Sequence, residues 1–109
     1  MRRTVVRTSF LCLSSFFALA LSACVVAPPP YEEFNLARVA VRAAQEVDSA
    51  RYVPGLWNRA DESFRAGEAA LKDNDFDKAK EHFLTALQFA EKAENATRLK
   101  KFQTGDSFP

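Results

Sequence analysis

The sequence predicts an all-α fold, a three-helix up-down-up bundle behind an N-terminal targeting segment. Three observations predict it. From Tyr31 onward apolar residues recur at steps of three and four, the spacing that gathers side chains on one face of a helix. Two short breaks, Val53-Pro54-Gly55 and Asp73-Asn74-Asp75, cut that pattern into three segments, and connections this short fold each helix back beside its predecessor. The 109 residues, 48% of them hydrophobic, suffice for one small domain once the leading segment is set apart.

Residues 1–23 have the three parts of a secretory signal: Arg2, Arg3 and Arg7, an apolar run from Phe10 to Leu21, and small residues after it. The run is 12 residues long. A membrane-spanning helix needs about 20 apolar residues to cross roughly 30 Å of hydrocarbon, so the segment reads as a cleaved signal. It closes on Leu21-Ser22-Ala23-Cys24, which resembles the lipobox of bacterial lipoproteins. The resemblance implies peptidase recognition of Leu21, Ser22 and Ala23, cleavage before Cys24, diacylglycerol on the Cys24 thiol and a further acyl chain on its new amino group. At about 0.8 kcal/mol per buried methylene, such an anchor holds the protein permanently on a membrane. In Gram-negative lipoproteins an aspartate after the cysteine typically retains the protein in the inner membrane. Val25 stands there, implying a sorting signal for the outer membrane and a periplasm-facing domain.

The cysteine inventory agrees. Cys12 leaves with the signal and Cys24 is taken by lipid, which leaves no thiol for a disulfide or a cysteine zinc site. One histidine, His82, cannot build a multi-histidine metal site, so neither metal nor cofactor is expected. Residues 24–30 form the lipidated start and a tether. Consecutive Pro28, Pro29 and Pro30 favour extended polyproline II at about 3.1 Å per residue, which sets the folded part within roughly 20 Å of the membrane. The same residues also suit an unstructured tail without a spacing role.

The bundle domain is expected over 31–102, with a frayed, disordered tail over 103–109. In the first helix Leu36, Ala40, Ala43, Val47 and Ala50 mark the inward face. Pro54 then closes one helix and opens the next, because proline restricts its predecessor yet suits a first helical turn. The second helix repeats the spacing with Trp57, Ala60, Phe64, Gly67 and Leu71, and Asp75 can cap the third. The third is the most regular: Phe76, Ala79, Phe83, Ala86, Ala90, Ala93 and Thr97 alternate steps of three and four. Leu84 and Leu87 widen this stripe on one side and Phe89 on the other. Trp57, Phe64, Phe76 and Phe83 are expected to supply most of the buried area. Asp61–Arg65, Glu68–Lys72 and Glu94–Arg98 set acid before base at four-residue spacing, each pair worth about 0.2–0.5 kcal/mol on a solvated face.

Between Gly67 and Ala86 the chain resembles one tetratricopeptide unit: Gly67 in its first helix, Asn74-Asp75-Phe76 at its turn, and Ala79, Phe83 and Ala86 in its second. No second copy follows, and Glu91 stands where the closing proline would be, so a single hairpin is implied rather than an array. More broadly, the mature chain is similar to a family of small bacterial lipoproteins of unknown function. That family has an alanine-rich helix, a Tyr-Ala-Pro turn, here Tyr52-Val53-Pro54, and a helical hairpin split by an acidic turn. The resemblance implies no activity.

Composition narrows the function classes. Without Arg2, Arg3 and Arg7, the remaining 12 basic residues face 14 acidic ones. A mildly acidic chain without a basic stripe lacks the footprint for nucleic acid. No serine, threonine or cysteine sits in an evident nucleophile-and-base pattern, no carboxylate interrupts an apolar stripe, and no glycine-rich phosphate loop occurs, so no catalytic residues are expected. His82 is expected to be exposed and ordinary. Two binding roles remain: an adaptor or assembly factor presenting a helix face to a periplasmic or envelope protein, and a structural lipoprotein contacting peptidoglycan. The ending Ser107-Phe108-Pro109 offers no terminal lysine for covalent attachment to the wall. Phe89 lies about 60° around its helix from Ala86, where packing against the first helix is expected and exposure would make it a partner anchor.

Overall fold

A computed structural model of the chain describes residues 26–106. The expected signal peptide, lipobox and last tail residues therefore lie outside the described part. The described residues contain four helices and no strand: α1 (Tyr31–Glu46), α2 (Ser49–Tyr52), α3 (Pro54–Lys72) and α4 (Phe76–Thr104).

Each boundary has a local cause. Helix α1 begins directly after Pro30, with Glu32 and Glu33 in its first turn, where carboxylates favour the positive end of the helix dipole. It ends before Asp48, whose backbone is left-handed at φ 69°, a conformation aspartate tolerates better than most residues. The single turn α2 follows. Val53 then adopts φ −140° and ψ 60°, away from the α region that proline disfavours in its predecessor, and Pro54 opens α3 in its first turn. The second break is tighter: Asn74 is left-handed at φ 58°, and the Asp75 carboxylate accepts from the Lys78 amide at 3.4 Å, capping α4. Helix α4 runs 29 residues to Thr104, beyond residue 102 where the sequence closes the domain, and stops at Gly105, left-handed at φ 78°.

Helices α3 and α4 form a hairpin, and α1 lies along α4 with lesser contact to α3. Two apolar clusters fill the space between them. One gathers Ala37, Ala79, Phe83 and Ala86, flanked by Phe34, Phe64 and Leu71. The other gathers Ala40, Ala44, Val53, Ala60, Ala90 and Ala93, flanked by Val41, Leu56, Trp57 and Phe89. In α4 the expected stripe is buried from Ala79 through Thr97, with Phe76 half-buried at its start. Trp57, Phe64 and Phe76 are only half-buried, and Phe83 is the one large aromatic fully enclosed among the described residues. Its ring centroid lies 5.3 Å from that of Phe34, edge-on, and 5.7 Å from that of Phe64.

Helix α1 is rotated from the expected orientation. Ala37, Ala40 and Ala44 face the core, whereas Leu36 is 49% exposed, Ala50 is exposed, and Ala43 and Val47 are half-buried. The cause is size. Where α1 meets α4 the interior is occupied by the Phe83 ring, and an alanine methyl fits beside it where a leucine would overfill the gap. Leu84 is likewise turned out, 46% exposed, instead of widening the buried stripe. Of the expected surface pairs, Asp61–Arg65 and Glu94–Arg98 form, at 3.0 and 2.8 Å, and Glu68–Lys72 does not.

Candidate functional site

The residues expected to carry lipid attachment (Cys24), peptidase recognition (Leu21, Ser22 and Ala23) and sorting (Val25) lie outside the described residues. The segment just after them is placed. Pro28 and Pro29 are exposed and Pro30 is buried, and the Pro29 and Pro30 carbonyls accept from the Tyr31 and Phe34 amides at 2.9 and 3.0 Å. Ala27 to Glu33 line an open cleft of about 340 Å³ whose other wall is Phe76, Asp77 and Lys80 of α4. The proline segment is thus laid against the start of α4. At that level the Lys80 ammonium pairs with the Glu33 carboxylate at 2.9 Å. This hydrogen bond holds the Glu33 carboxyl below its ordinary value and raises the Lys80 ammonium above its own.

Phe89 is half-buried at the margin of the second apolar cluster. The Arg59 guanidinium of α3 lies over its ring at 4.6 Å, and the Lys92 ammonium stands 5.4 Å from the ring centre. Nine residues separate Phe89 from Lys80, about 180° around α4 at 100° per residue. Since Lys80 marks the α1 side, Phe89 faces α3, and the expected packing against the first helix is corrected to this extent. His82 is half-buried rather than exposed. Among the described residues no group of histidine, cysteine and carboxylate side chains could hold a metal ion, and no helix is long and apolar enough to cross a membrane.

The far end is tied down by Tyr52. Its hydroxyl donates to the Asp106 carboxylate at 3.0 Å, its carbonyl accepts from the Lys100 ammonium at 2.8 Å, and Arg51 and Lys101 flank its ring at 5.6 and 5.2 Å. The bond to Asp106 holds the phenol above its ordinary value. These contacts join α2 to the last turns of α4.

The apolar side chains left outside were missed by the sequence reading or assigned inward. Val39 is 65% exposed on α1 beside Leu36, and Leu84 faces outward from α4. The signal was present, since α1 carries apolar residues on two sides: Ala37, Ala40 and Ala44 on one, Leu36, Val39, Ala43 and Val47 on the other.

Residues 32–104 match the model of a domain of unknown function, DUF4398. The chain belongs to the DUF4398 family. No curated protein and no solved structure matches it. The DUF4398 match opens in the first turn of α1 and closes on the last residue of α4, so it takes in all four helices and leaves out the segment from Cys24 to Pro30.

Proposed function

We propose that this DUF4398 chain is a non-enzymatic lipoprotein, anchored through Cys24 in the outer membrane and facing the periplasm, where its helical domain acts as a protein-interaction adaptor or assembly factor. The observation that carries the anchor is Leu21-Ser22-Ala23-Cys24 at the end of a 12-residue apolar run, Leu21 being its last residue. Val25 in place of aspartate supports the outer-membrane address. The domain is read as a three-helix up-down-up bundle with a tetratricopeptide-like hairpin, α2 elaborating one connection. Ala37 clustering with Phe83 and Ala86, Ala44 with Ala90 and Ala93, and Gly67 against Phe83 support it. The adaptor role is supported by apolar side chains left exposed on a helix pair whose interior is already filled.

Cys24→Ser tests the anchor. The variant is expected to lose both the lipid mass and cleavage before residue 24, read by mass spectrometry of the membrane fraction. A variant that is still cut there and still acylated overturns the reading. Val25→Asp is expected to move the protein from outer-membrane to inner-membrane fractions on a sucrose gradient, and unchanged outer-membrane recovery overturns the sorting assignment.

A further inference from the structure

The outer faces of α1 and α4 meet along a seam. The Glu33–Lys80 ion pair, 2.9 Å long, sets the two helices at one level near the proline segment. Ala37 then clusters with Phe83 and Ala86, and Ala44 with Ala90 and Ala93, so both chains run the same way from that point. About one turn past Glu33 stands Leu36, and one turn past Lys80 stands Leu84. Both are nearly half exposed, at 49% and 46%, and Val39 beside them is 65% exposed. Half-buried Ala43 and Val47 continue the strip, which extends about 16 Å from Leu36 to Val47 at 1.5 Å per residue.

The rim of this strip is acidic. Glu32 and Glu46 lie seven residues before and after Val39, within about 20° of it around α1, and Glu91 lies seven after Leu84 on α4. All three are exposed and none is in a close ion pair among the described residues, Glu32 acting on the Lys80 ammonium only as a lesser influence behind Glu33. On the same side of α4, Lys80 is paired with Glu33 and Arg98 with Glu94 at 2.8 Å. Arg42 is on the outer shoulder of α1, about 60° from Val39.

We infer that this seam docks an amphipathic helix of a partner protein, its apolar stripe on Leu36, Val39 and Leu84 and its flanking lysines or arginines against Glu32, Glu46 and Glu91. The inference deepens the adaptor reading by naming the surface and the chemistry of what it holds. Charge selects the occupant. A second copy would bring the same carboxylates to the seam, and an anionic lipid surface would be repelled by them, whereas a basic-flanked helix satisfies both the apolar strip and its rim.

The test uses the full chain in neutral phosphatidylcholine vesicles, protein-free vesicles as blank, and a fluorescein-labelled synthetic helix of about 18 residues, or five turns. The probe carries leucines at steps of three and four and lysines on both flanks. Saturable binding above the blank is expected, weakened at least about tenfold by Val39→Glu with Leu84→Glu and reversed in preference, toward a glutamate-flanked probe, by Glu32→Lys with Glu91→Lys. Both positions of the first pair are exposed, so melting followed by circular dichroism should stay unchanged and exclude unfolding as the cause. Equal binding of the glutamate-flanked probe to the natural chain, binding indifferent to the Val39 and Leu84 changes, or no binding above the blank overturns the inference. So do crosslinked dimers of the natural chain that vanish in Val39→Glu, which assign the seam to a second copy. None of these outcomes touches the processing of Cys24, so the seam and the anchor stand or fall separately.

Discussion

The backbone of Gly67 lies against the ring of Phe83 so closely that a β-carbon added there would come within 2.6 Å of two ring carbons. The ring cannot simply swing aside, because Phe34 and Phe64 hold its other edges. Gly67→Ala is therefore expected to destabilise. Overpacking costs about 1–3 kcal/mol and outweighs the roughly 1 kcal/mol that alanine contributes to a helix interior. Urea unfolding should show a lower midpoint, and Phe83→Leu in the Gly67→Ala background should recover part of the loss. A midpoint that rises in the single variant would mean that the ring has room to move.

The fully buried hydroxyls of Ser49 and Thr97 lie 2.9 Å apart, and the Thr97 hydroxyl also lies 2.7 Å from the Ala93 carbonyl. A carbonyl only accepts, so the Thr97 proton satisfies Ala93, and Ser49 is left to donate to Thr97. Removing the acceptor should then cost more than removing the donor. Thr97→Val is expected to lose about 1–3 kcal/mol by stranding the Ser49 hydroxyl, Ser49→Ala about 1 kcal/mol, and the double variant less than their sum. Strict additivity in chemical denaturation would deny the coupling.

For Phe89, a half-buried ring between the second cluster and the Arg59 guanidinium, replacement by serine is expected to cost about 1–3 kcal/mol, less than at a fully enclosed phenylalanine. Thermal melting decides it. Unchanged stability would release Phe89 from the core and return it to consideration as a partner anchor.

Acid should loosen the α1–α4 contact through Glu33. Its carboxyl is held below the ordinary 4.5 by the Lys80 hydrogen bond, so the folded form binds its proton less readily than the unfolded chain. The stabilisation is complete above pH 4.5 and is lost as the pH falls below that value through the folded one. Glu33→Gln should flatten this part of the stability profile by lowering the neutral plateau, and the two proteins should converge at low pH where Glu33 is protonated. An identical acid limb in both proteins would show that the pair contributes nothing.

Helix α4 was readable because its buried line holds only alanines, Phe83 and Thr97, without a charge or a misplaced large side chain on it, although Leu84, Leu99 and Phe102 stand exposed among the outward charges. Helix α1 was not, because periodicity weighs leucine above alanine, while beside Phe83 the space admits only the smaller residue. The stripe through Leu36, Ala43 and Val47 is a real one, but it faces the seam. The break at Val53-Pro54 was legible from proline chemistry. Asp48 and the single turn after it were not, since an aspartate flanked by Val47 and Ser49 gives no sign of a left-handed backbone. Phe34 escaped notice for a related reason, standing 100° away from Glu33 at a position that looks like a flank until the third helix arrives beside it.

An interior built from Ala37, Ala40, Ala44, Ala60, Ala79, Ala86, Ala90 and Ala93 inverts the usual direction of mutational risk. In most proteins the hazard is losing bulk, and here that hazard is concentrated at Phe83. At the alanines the hazard is growth: a glycine removes one methyl at a helix-interior cost of about 1 kcal/mol, whereas a single valine pushes two backbones apart. Random drift in such a chain can rewrite the charged exterior away from the seam while the inward line stays pinned to the smallest side chains. Two homologues that share few residues overall should still share this ceiling on size, and it is by that ceiling that distant members of the family would be told from unrelated amphipathic hairpins.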